Sequence, residues 1–282
     1  MTATATGFAP AKINLALHVT GRRADGYHLL DSLVVFGRAG DRLDLRAAPE
    51  LSLGVEGPFA DRIPAGAENL VLRAMEVMRR ETGAQGQGAS VTLTKRLPPG
   101  SGIGGGSSDA AAALRGLAQL WDMDLPGPKA LLALGADVPV CMDPRPQRMR
   151  GVGERLNPVT GLPDLPLLLV NPGVPVATPA VFKALTERDG APMEPLPDAL
   201  DLPRFVEWLA RQRNDLQPPA MALVPEIGTV LARMEASAGC LLARMSGSGA
   251  TCFAIYRDTD MRDAAAAEIR AAAPPAWWVA EA

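Results

Sequence analysis

The 282-residue sequence predicts a mixed α+β protein in two lobes. Three observations carry that expectation. Apolar residues alternate at Ile13, Leu15, Leu17 and Val19, the period of a half-buried strand. Helical spacing instead runs through "AENLVLRAMEVMRRETG" and "SSDAAAALRGLAQLW". A fresh buried strand, "PLLLVNPG", then opens a second series of elements. The expected lobes are residues 1–158 and 159–282.

In order along the chain, "KINLALHVT" reads as a strand, and "DSLVVF" and "DRLDLRA" as two more with glycine-containing turns between them. The helix over "AENLVLRAMEVMRRETG" stops at Gly83. "SVTLTK" is a strand entering a glycine loop, and "SSDAAAALRGLAQLW" is the helix leaving it. Beyond "PLLLVNPG" come a helix over "PEIGTVLARMEASAG", a helix-like run before "SGSG", a strand over "CFAIY" and a helix over "TDMRDAAAAEIRAAA". The proline-rich stretch from Gly190 to Pro203 reads as a mobile connection.

Composition excludes several functions. A formal net charge of −3 with no basic stripe argues against nucleic acid or an anionic membrane as partner. No apolar run approaches the ~20 residues that span a bilayer. The three cysteines, Cys141, Cys240 and Cys252, have no metal-ligand spacing and make a poor disulfide framework, which fits a reducing compartment. The start, "MTATATGFAP", shows no export signal, so a cytoplasmic protein is expected.

The richest stretch is "RLPPGSGIGGGSSDAAAALRGL", residues 96–117. Glycines let a ligand reach backbone N–H groups, and a helix N-terminus directly after them attracts an anion, usually phosphate. A P-loop needs lysine after its second glycine, and position 106 is Gly. Gly100, Gly102 and Gly105 match the dinucleotide fingerprint, but Asp122 and Asp124 follow a helix where a second strand should close. What remains is a phosphate cradle at a helix N-terminus, with the Ser107 and Ser108 hydroxyls in place of lysine as donors or Mg²⁺ ligands.

The string "LPPGSGIGGGSSDAA" resembles the second motif of the GHMP kinases, the superfamily of galactokinase, homoserine kinase and mevalonate kinase. "PAKINLALHVTGRRADGYHLLDSL", "NLVLRA", "LGADVPV", "GVGERL" and "MSGSGATCFA" extend the resemblance over nearly the whole chain. They point to the branch whose acceptor is 4-diphosphocytidyl-2-C-methyl-D-erythritol. The resemblance implies an N-terminal lobe like ribosomal protein S5 domain 2 and a ferredoxin-like C-terminal lobe. It also implies ATP as phosphoryl donor, Mg²⁺, and a cytidine diphosphate-linked small molecule as partner. Other GHMP acceptors such as mevalonate or homoserine, and a non-catalytic nucleotide-binding regulator, stand as alternatives.

Phosphoryl transfer to an alcohol needs positioning, charge neutralisation and a group to take the hydroxyl proton. Asp137, in "GADVP", is the candidate base, although aspartate at a helix exit commonly serves a turn. Lys12 lies on the first strand, where lysine is otherwise a solvated or edge-guarding residue. The resemblance pairs it with Asp137 as the second catalytic residue. It assigns ATP to Lys95, Pro98, Pro99, Gly100, Ser101, Gly102, Ile103, Gly104, Gly105, Gly106, Ser107 and Ser108, with Ser107 as a Mg²⁺ ligand. It assigns the acceptor to Asn14, Tyr27, His28, Thr178, Phe182, Gly247 and Gly249. Tyr27 and Phe182 would close on the two faces of the cytosine ring while His28 reads its edge. The stretch "DPRPQRMR", residues 143–150, departs from the glycine and small residues common there in the superfamily.

Overall fold

The computed structural model describes residues 3–64, 66–198 and 200–282. The chain opens with two long strands, β1 (Thr4–Arg22) and β2 (His28–Ala48), then β3 (Ser52–Glu56). Helix α1 (Leu70–Glu81), β4 (Gly88–Thr94) and α2 (Gly105–Trp121) follow. Next come α3 (Pro128–Leu134), the single turn α4 (Val138–Cys141), β5 (Gln147–Gly151), β6 (Arg155–Pro158) and β7 (Leu167–Asn171). The remainder runs through α5 (Thr178–Ala184), α6 (Leu202–Arg211), α7 (Gln217–Leu223), α8 (Glu226–Glu235), β8 (Cys240–Met245), β9 (Cys252–Tyr256), α9 (Thr259–Ala272) and β10 (Trp278–Glu281).

These elements pack into two compact units drawn from interleaved segments. The first holds the chain up to Lys12, then Gly40–Pro99 and Gly104–Pro144; the second holds Ile13–Ala39, Gly100–Ile103 and Arg145–Ala282. A single boundary at 158/159 therefore does not describe the packing, because β1 and β2 each contribute one half to either unit.

In the first unit, β3 runs parallel to β4, and β4 pairs antiparallel with residues 42–48 of β2. Helix α1 buries Val71, Ala74, Met75 and Met78, the i, i+3, i+4, i+7 stripe of an amphipathic helix. Its start is capped by the Asn69 side chain, which accepts from the Val71 amide at 2.8 Å. Helix α2 is buried almost all round, and its Ala110–Ala113 run keeps it thin enough for that. Its Gly116 lies so close to Leu45 that a Cβ would come within 2.7 Å of that side chain.

In the second unit, β7-α8-β8-β9-α9-β10 forms a four-stranded antiparallel sheet in the order β10-β7-β9-β8. This is the ferredoxin-like arrangement that the resemblance implies. Its central strands β7 and β9 are wholly buried. Residues 30–34 of β2 pair with β5, and β5 with β6.

Three sequence expectations are corrected. "DSLVVF" and "DRLDLRA" are one continuous strand, β2, because Gly37 and Gly40 stay extended instead of turning. Glycine is needed there for close approach: a Cβ would lie 2.7 Å from Ala282 at position 37 and 2.6 Å from the Ala9 carbonyl at position 40. The helix-like run before "SGSG" is strand β8; an apolar run of that length suits either state, and pairing with β9 decides it. The connection after Gly190 is not loose. Met193 is buried, Trp208 Nε1 donates to the Pro195 carbonyl at 3.0 Å, and the Glu194 amide donates to Gln212 at 3.1 Å.

Candidate functional site

Two constellations contain most of the expected site residues, one in each unit. In the first, Lys12 is buried on β1 and its Nζ lies 2.8 Å from Asp137 Oδ2. The Asp137 carboxylate is 36 % exposed and caps nothing, although the residue immediately precedes α4. It is therefore held by a cation yet open to a ligand: the residue lies in the Gly135–Val138 turn, but its side chain does not cap the helix that follows. A buried lysine on this strand is likewise not a solvated face.

The N-terminus of α2 comes down directly on this pair. Gly104, at φ +62°, is so close that a Cβ there would stand 3.1 Å from the Lys12 side chain. The glycine run thus separates into two kinds. At Gly104 and Gly105 the protein itself fills the space, the latter with Lys95 Nζ at 3.1 Å from a would-be Cβ. At Gly100 and Gly106, both exposed, a Cβ would meet nothing. Those two positions leave bare backbone facing open space, and the first-turn N–H groups of α2 have no acceptor within the helix. No acidic residue occupies that first turn, so an anion meets no opposing charge there.

Lys95 is almost wholly buried and ion-paired to both Asp41 and Asp109, the latter at 2.7 Å, so its ammonium is already engaged inside the protein. Asp41 also accepts from the Leu97 amide at 2.8 Å, which pins the entry to the glycine loop. Burial would push the lysine down, but Asp109 and Asp41 outweigh it and hold its pKa above the ordinary value. Burial also pushes Asp109 up to about 8, against the pull of Lys95, because one ammonium serves two carboxylates. Ser107 is partly exposed, while Ser108 is fully buried with an unpartnered Oγ. Pro98 is buried and Pro99 partly so.

In the second unit, Asn14 is fully buried on β1. Its Nδ2 donates to Ser32 Oγ at 2.7 Å, and the Ser32 hydroxyl donates to the Ala16 carbonyl at 2.6 Å. That chain fixes the amide orientation and leaves Asn14 Oδ1 as an acceptor without a partner among the described residues. The Asn14 amide donates to Ser246 Oγ at 3.0 Å, and Ser246 Oγ to the Gly102 carbonyl at 3.2 Å. Gly102, Gly247 and Gly249 are packing glycines: a Cβ would lie 2.6–2.7 Å from Ser246, from Gly102 and from Met245 respectively. Only the backbone of the "SGSG" turn is left to meet a ligand. Ser101 and Ile103 are buried beside it.

Tyr27 follows the Asp25–Gly26 turn and is 63 % exposed. His28 stacks on Phe182, with centroids 4.8 Å apart and planes 21° from parallel. His28 thus shares a stack with Phe182, and among the described residues Tyr27 makes no ring contact. Burial, reinforced by Arg22 and Arg188, lowers the His28 pKa and keeps the ring neutral near pH 7. Its Nε2 is buried without a partner among the described residues. Thr178, at the start of α5, shares a 2.7 Å hydrogen bond with Ser248.

Reasoning from the residues alone missed Asp41, Ser32, Ser246 and Asn214 as supports of these groups. Asn214 Nδ2 donates to the Met245 and Gly247 carbonyls at 2.7 and 2.9 Å and so shapes the "SGSG" turn. Its only local signal is an asparagine just before a helix start, which reads as a cap.

Comparison with known proteins decides the family. The model of the GHMP kinases N terminal domain matches residues 69–144, and that of the GHMP kinases C terminal matches 196–275. A Cereibacter sphaeroides 4-diphosphocytidyl-2-C-methyl-D-erythritol kinase is 56 % identical over 277 residues, covering 98 % of this chain and 97 % of its own. The chain belongs to that kinase family. A Ruegeria pomeroyi member is 54 % identical over 97 % of this chain and 96 % of its own. A crystal structure of a 4-(cytidine 5′-diphospho)-2C-methyl-D-erythritol kinase superposes with a TM-score of 0.79 at 37 % identity, covering 98 % of each chain. Homoserine kinase from Cytophaga hutchinsonii superposes at 0.70 with 18 % identity, over 100 % of this chain and 95 % of its own, and shares the fold alone. Among the described residues no helix is long and apolar enough to cross a membrane.

Proposed function

We propose that this chain transfers the γ-phosphoryl group of ATP to the 2-hydroxyl of 4-diphosphocytidyl-2-C-methyl-D-erythritol. The products are the 2-phosphate and ADP, a step in non-mevalonate isoprenoid precursor synthesis. The observation that carries the reading is the buried Lys12 held to the half-exposed Asp137 directly beneath Gly104. The first-turn amides of α2 and the open backbone at Gly106 receive the phosphates. Asp137 orients the acceptor hydroxyl and takes its proton as the new O–P bond forms and the bond to ADP breaks. Lys12 holds the carboxylate in place and offsets negative charge that builds up beside it.

On the acceptor side, Asn14 Oδ1 accepts from a substrate hydroxyl and the neutral His28 presents Nε2 to the cytosine edge. Both are buried atoms with no partner among the described residues, and such groups are costly unless a ligand or water satisfies them. Tyr27 offers the exposed ring on which the base stacks.

Mg²⁺ fits within limits. Among the described residues no cluster of three His, Cys, Asp or Glu side chains is built to hold a cation. The Ser107 hydroxyl and the Asp137 carboxylate are suitable oxygen donors, and Mg²⁺ typically relies on one or two protein ligands plus phosphates and water. When bound, the ion would neutralise charge on the ATP phosphates.

The test is ADP release measured in parallel with the cytidine substrate, mevalonate and homoserine, with Asp137→Asn as control. Turnover confined to the cytidine substrate and lost in the variant is expected. Equal rates with all three alcohols, or full activity in the variant, would remove the assignment.

A further inference from the structure

The departure at residues 143–150 supplies a side chain that the proposed chemistry does not use. Arg148, on β5, forms a two-pronged ion pair with Asp31 on β2: Nε donates to Oδ1 at 2.8 Å and Nη2 to Oδ2 at 2.6 Å. Asp31 is buried, and the fork holds the guanidinium pKa above its ordinary value. Both partners also grip one residue of the connection after α5. Asp31 Oδ2 accepts from the Met193 amide at 3.1 Å, and Arg148 Nη2 donates to the Met193 carbonyl at 2.8 Å.

Residues just before it are held as well. The Gly190 amide donates to the Val19 carbonyl at 3.0 Å. His18 Nε2 accepts from the Arg213 amide at 3.1 Å, so His18 Nδ1 must be the protonated nitrogen that donates to the Ala191 carbonyl at 3.0 Å.

These bonds have a geometric consequence for the aromatic stack. Phe182 sits on α5, a short helix tied upstream by Thr178 to Ser248. Downstream, Leu185 is buried in the core, and the next backbone anchorage is Gly190 to Met193. Asp31 lies three residues after His28 on the same strand, about 10 Å along it at strand rise. One buried node therefore fixes the strand bearing His28 and the chain returning from Phe182, the two rings that stack at 4.8 Å.

We propose that Asp31 and Arg148 are positioning residues for recognition of the cytosine-bearing substrate, setting His28 against Phe182 through the backbone of Met193. This rests on the reading that His28 meets the cytosine ring.

A role confined to the acceptor separates this from general structural support. The experiment measures binding of CDP and of ADP, each alone, by calorimetry to the full chain and to Arg148→Lys, Asp31→Asn and His28→Ala. Arg148→Lys keeps the charge but loses the fork, and so guards against a result that reflects only misfolding. It and Asp31→Asn are expected to weaken CDP binding about tenfold and leave ADP within about twofold, since a lost fork misplaces the rings without touching the phosphate cradle. KM for the cytidine substrate should rise by the same factor at unchanged kcat. The inference is overturned if CDP affinity is unchanged in both clamp variants, or if CDP and ADP weaken together. If His28→Ala weakens CDP while the clamp variants do not, only the inference falls. If the unaltered protein binds no CDP, the reading of the acceptor falls with it.

Discussion

The two constellations are built from opposite materials. Around the N-terminus of α2 the working groups are charges, Lys12 paired with Asp137 and Lys95 shared between Asp41 and Asp109, mostly buried, with Asp109 Oδ1 and Ser108 Oγ unpartnered among the described residues. Around Asn14 and His28 they are neutral, and Asn14 Oδ1 and His28 Nε2 are left without partners among the described residues. A region that must take up and release polyphosphate benefits from a fixed field, whereas a region that must tell one small molecule from another benefits from unpaired donors and acceptors. Charge gives reach, and an orphaned hydrogen-bonding atom gives selectivity, because a wrong ligand leaves it unsatisfied.

The sharpest break in that comparison comes from the charged side. Asp137→Asn should lower kcat about 10³-fold, within the range for losing a general base, with KM for both substrates changed only a few-fold. Steady-state ADP release checks this, and an unchanged kcat would move the proton acceptor elsewhere. Lys95→Met leaves two buried carboxylates facing each other, and should cost about 3–5 kcal/mol of stability in urea unfolding. Should that variant unfold no more easily than the parent, the buried charge cluster is not a structural support.

The next prediction divides the glycines. Gly104→Ala puts a Cβ 3.1 Å from Lys12 at positive φ and should cost about 1–2 kcal/mol as well as activity. Gly106→Ala meets no protein atom, so it should keep its melting temperature and lose ATP affinity only. On the neutral side, His28→Ala should raise KM for the cytidine substrate about tenfold at constant kcat, as loss of uniform binding does.

The smallest effect is a pH dependence of stability. Burial, aided by Arg213, lowers the His18 pKa despite the Ala191 hydrogen bond and the nearby Asp215 and Asp31. A histidine harder to protonate when folded gives no penalty above the ordinary imidazole value and costs stability as pH falls below about 6.5. The loss is complete below the lowered folded value. His18→Gln can still accept from the Arg213 amide and donate to Ala191, so its unfolding free energy should change less between pH 7 and 5.5. A parallel decline in both proteins would place the acid sensitivity elsewhere.

The local features were legible where a single segment carries the whole cause. The stripe of α1 and the strand–loop–helix order around the glycines folded as read; β1 is a strand as expected, but buried on both faces over residues 9–19 instead of half-buried. The acceptor-side turn at Asp25 and Gly26 also folded as read. What was illegible depends on partners far apart in the chain. Lys95 reads as a nucleotide contact because its partner Asp41 lies 54 residues away. Gly37 and Gly40 read as turns because the atoms that crowd them belong to residues 8, 9 and 282. Arg148 looked like an irregularity in a family pattern, since its partner Asp31 is 117 residues distant. The glycine run showed that backbone was laid bare, but not that Gly102, Gly104 and Gly105 are required by the protein's own packing.

The interleaving of the two units by β1 and β2 bears on how such a chain can be taken apart. Each unit is assembled from segments that the other interrupts, so no single cut yields two pieces that each own a complete core. Expression of either half alone should give insoluble or unfolded material, and a graft of the ferredoxin-like sheet onto another scaffold would have to carry strand halves from the start of the sequence with it. Evolution can exchange the loops of such an enzyme far more readily than it can exchange its halves.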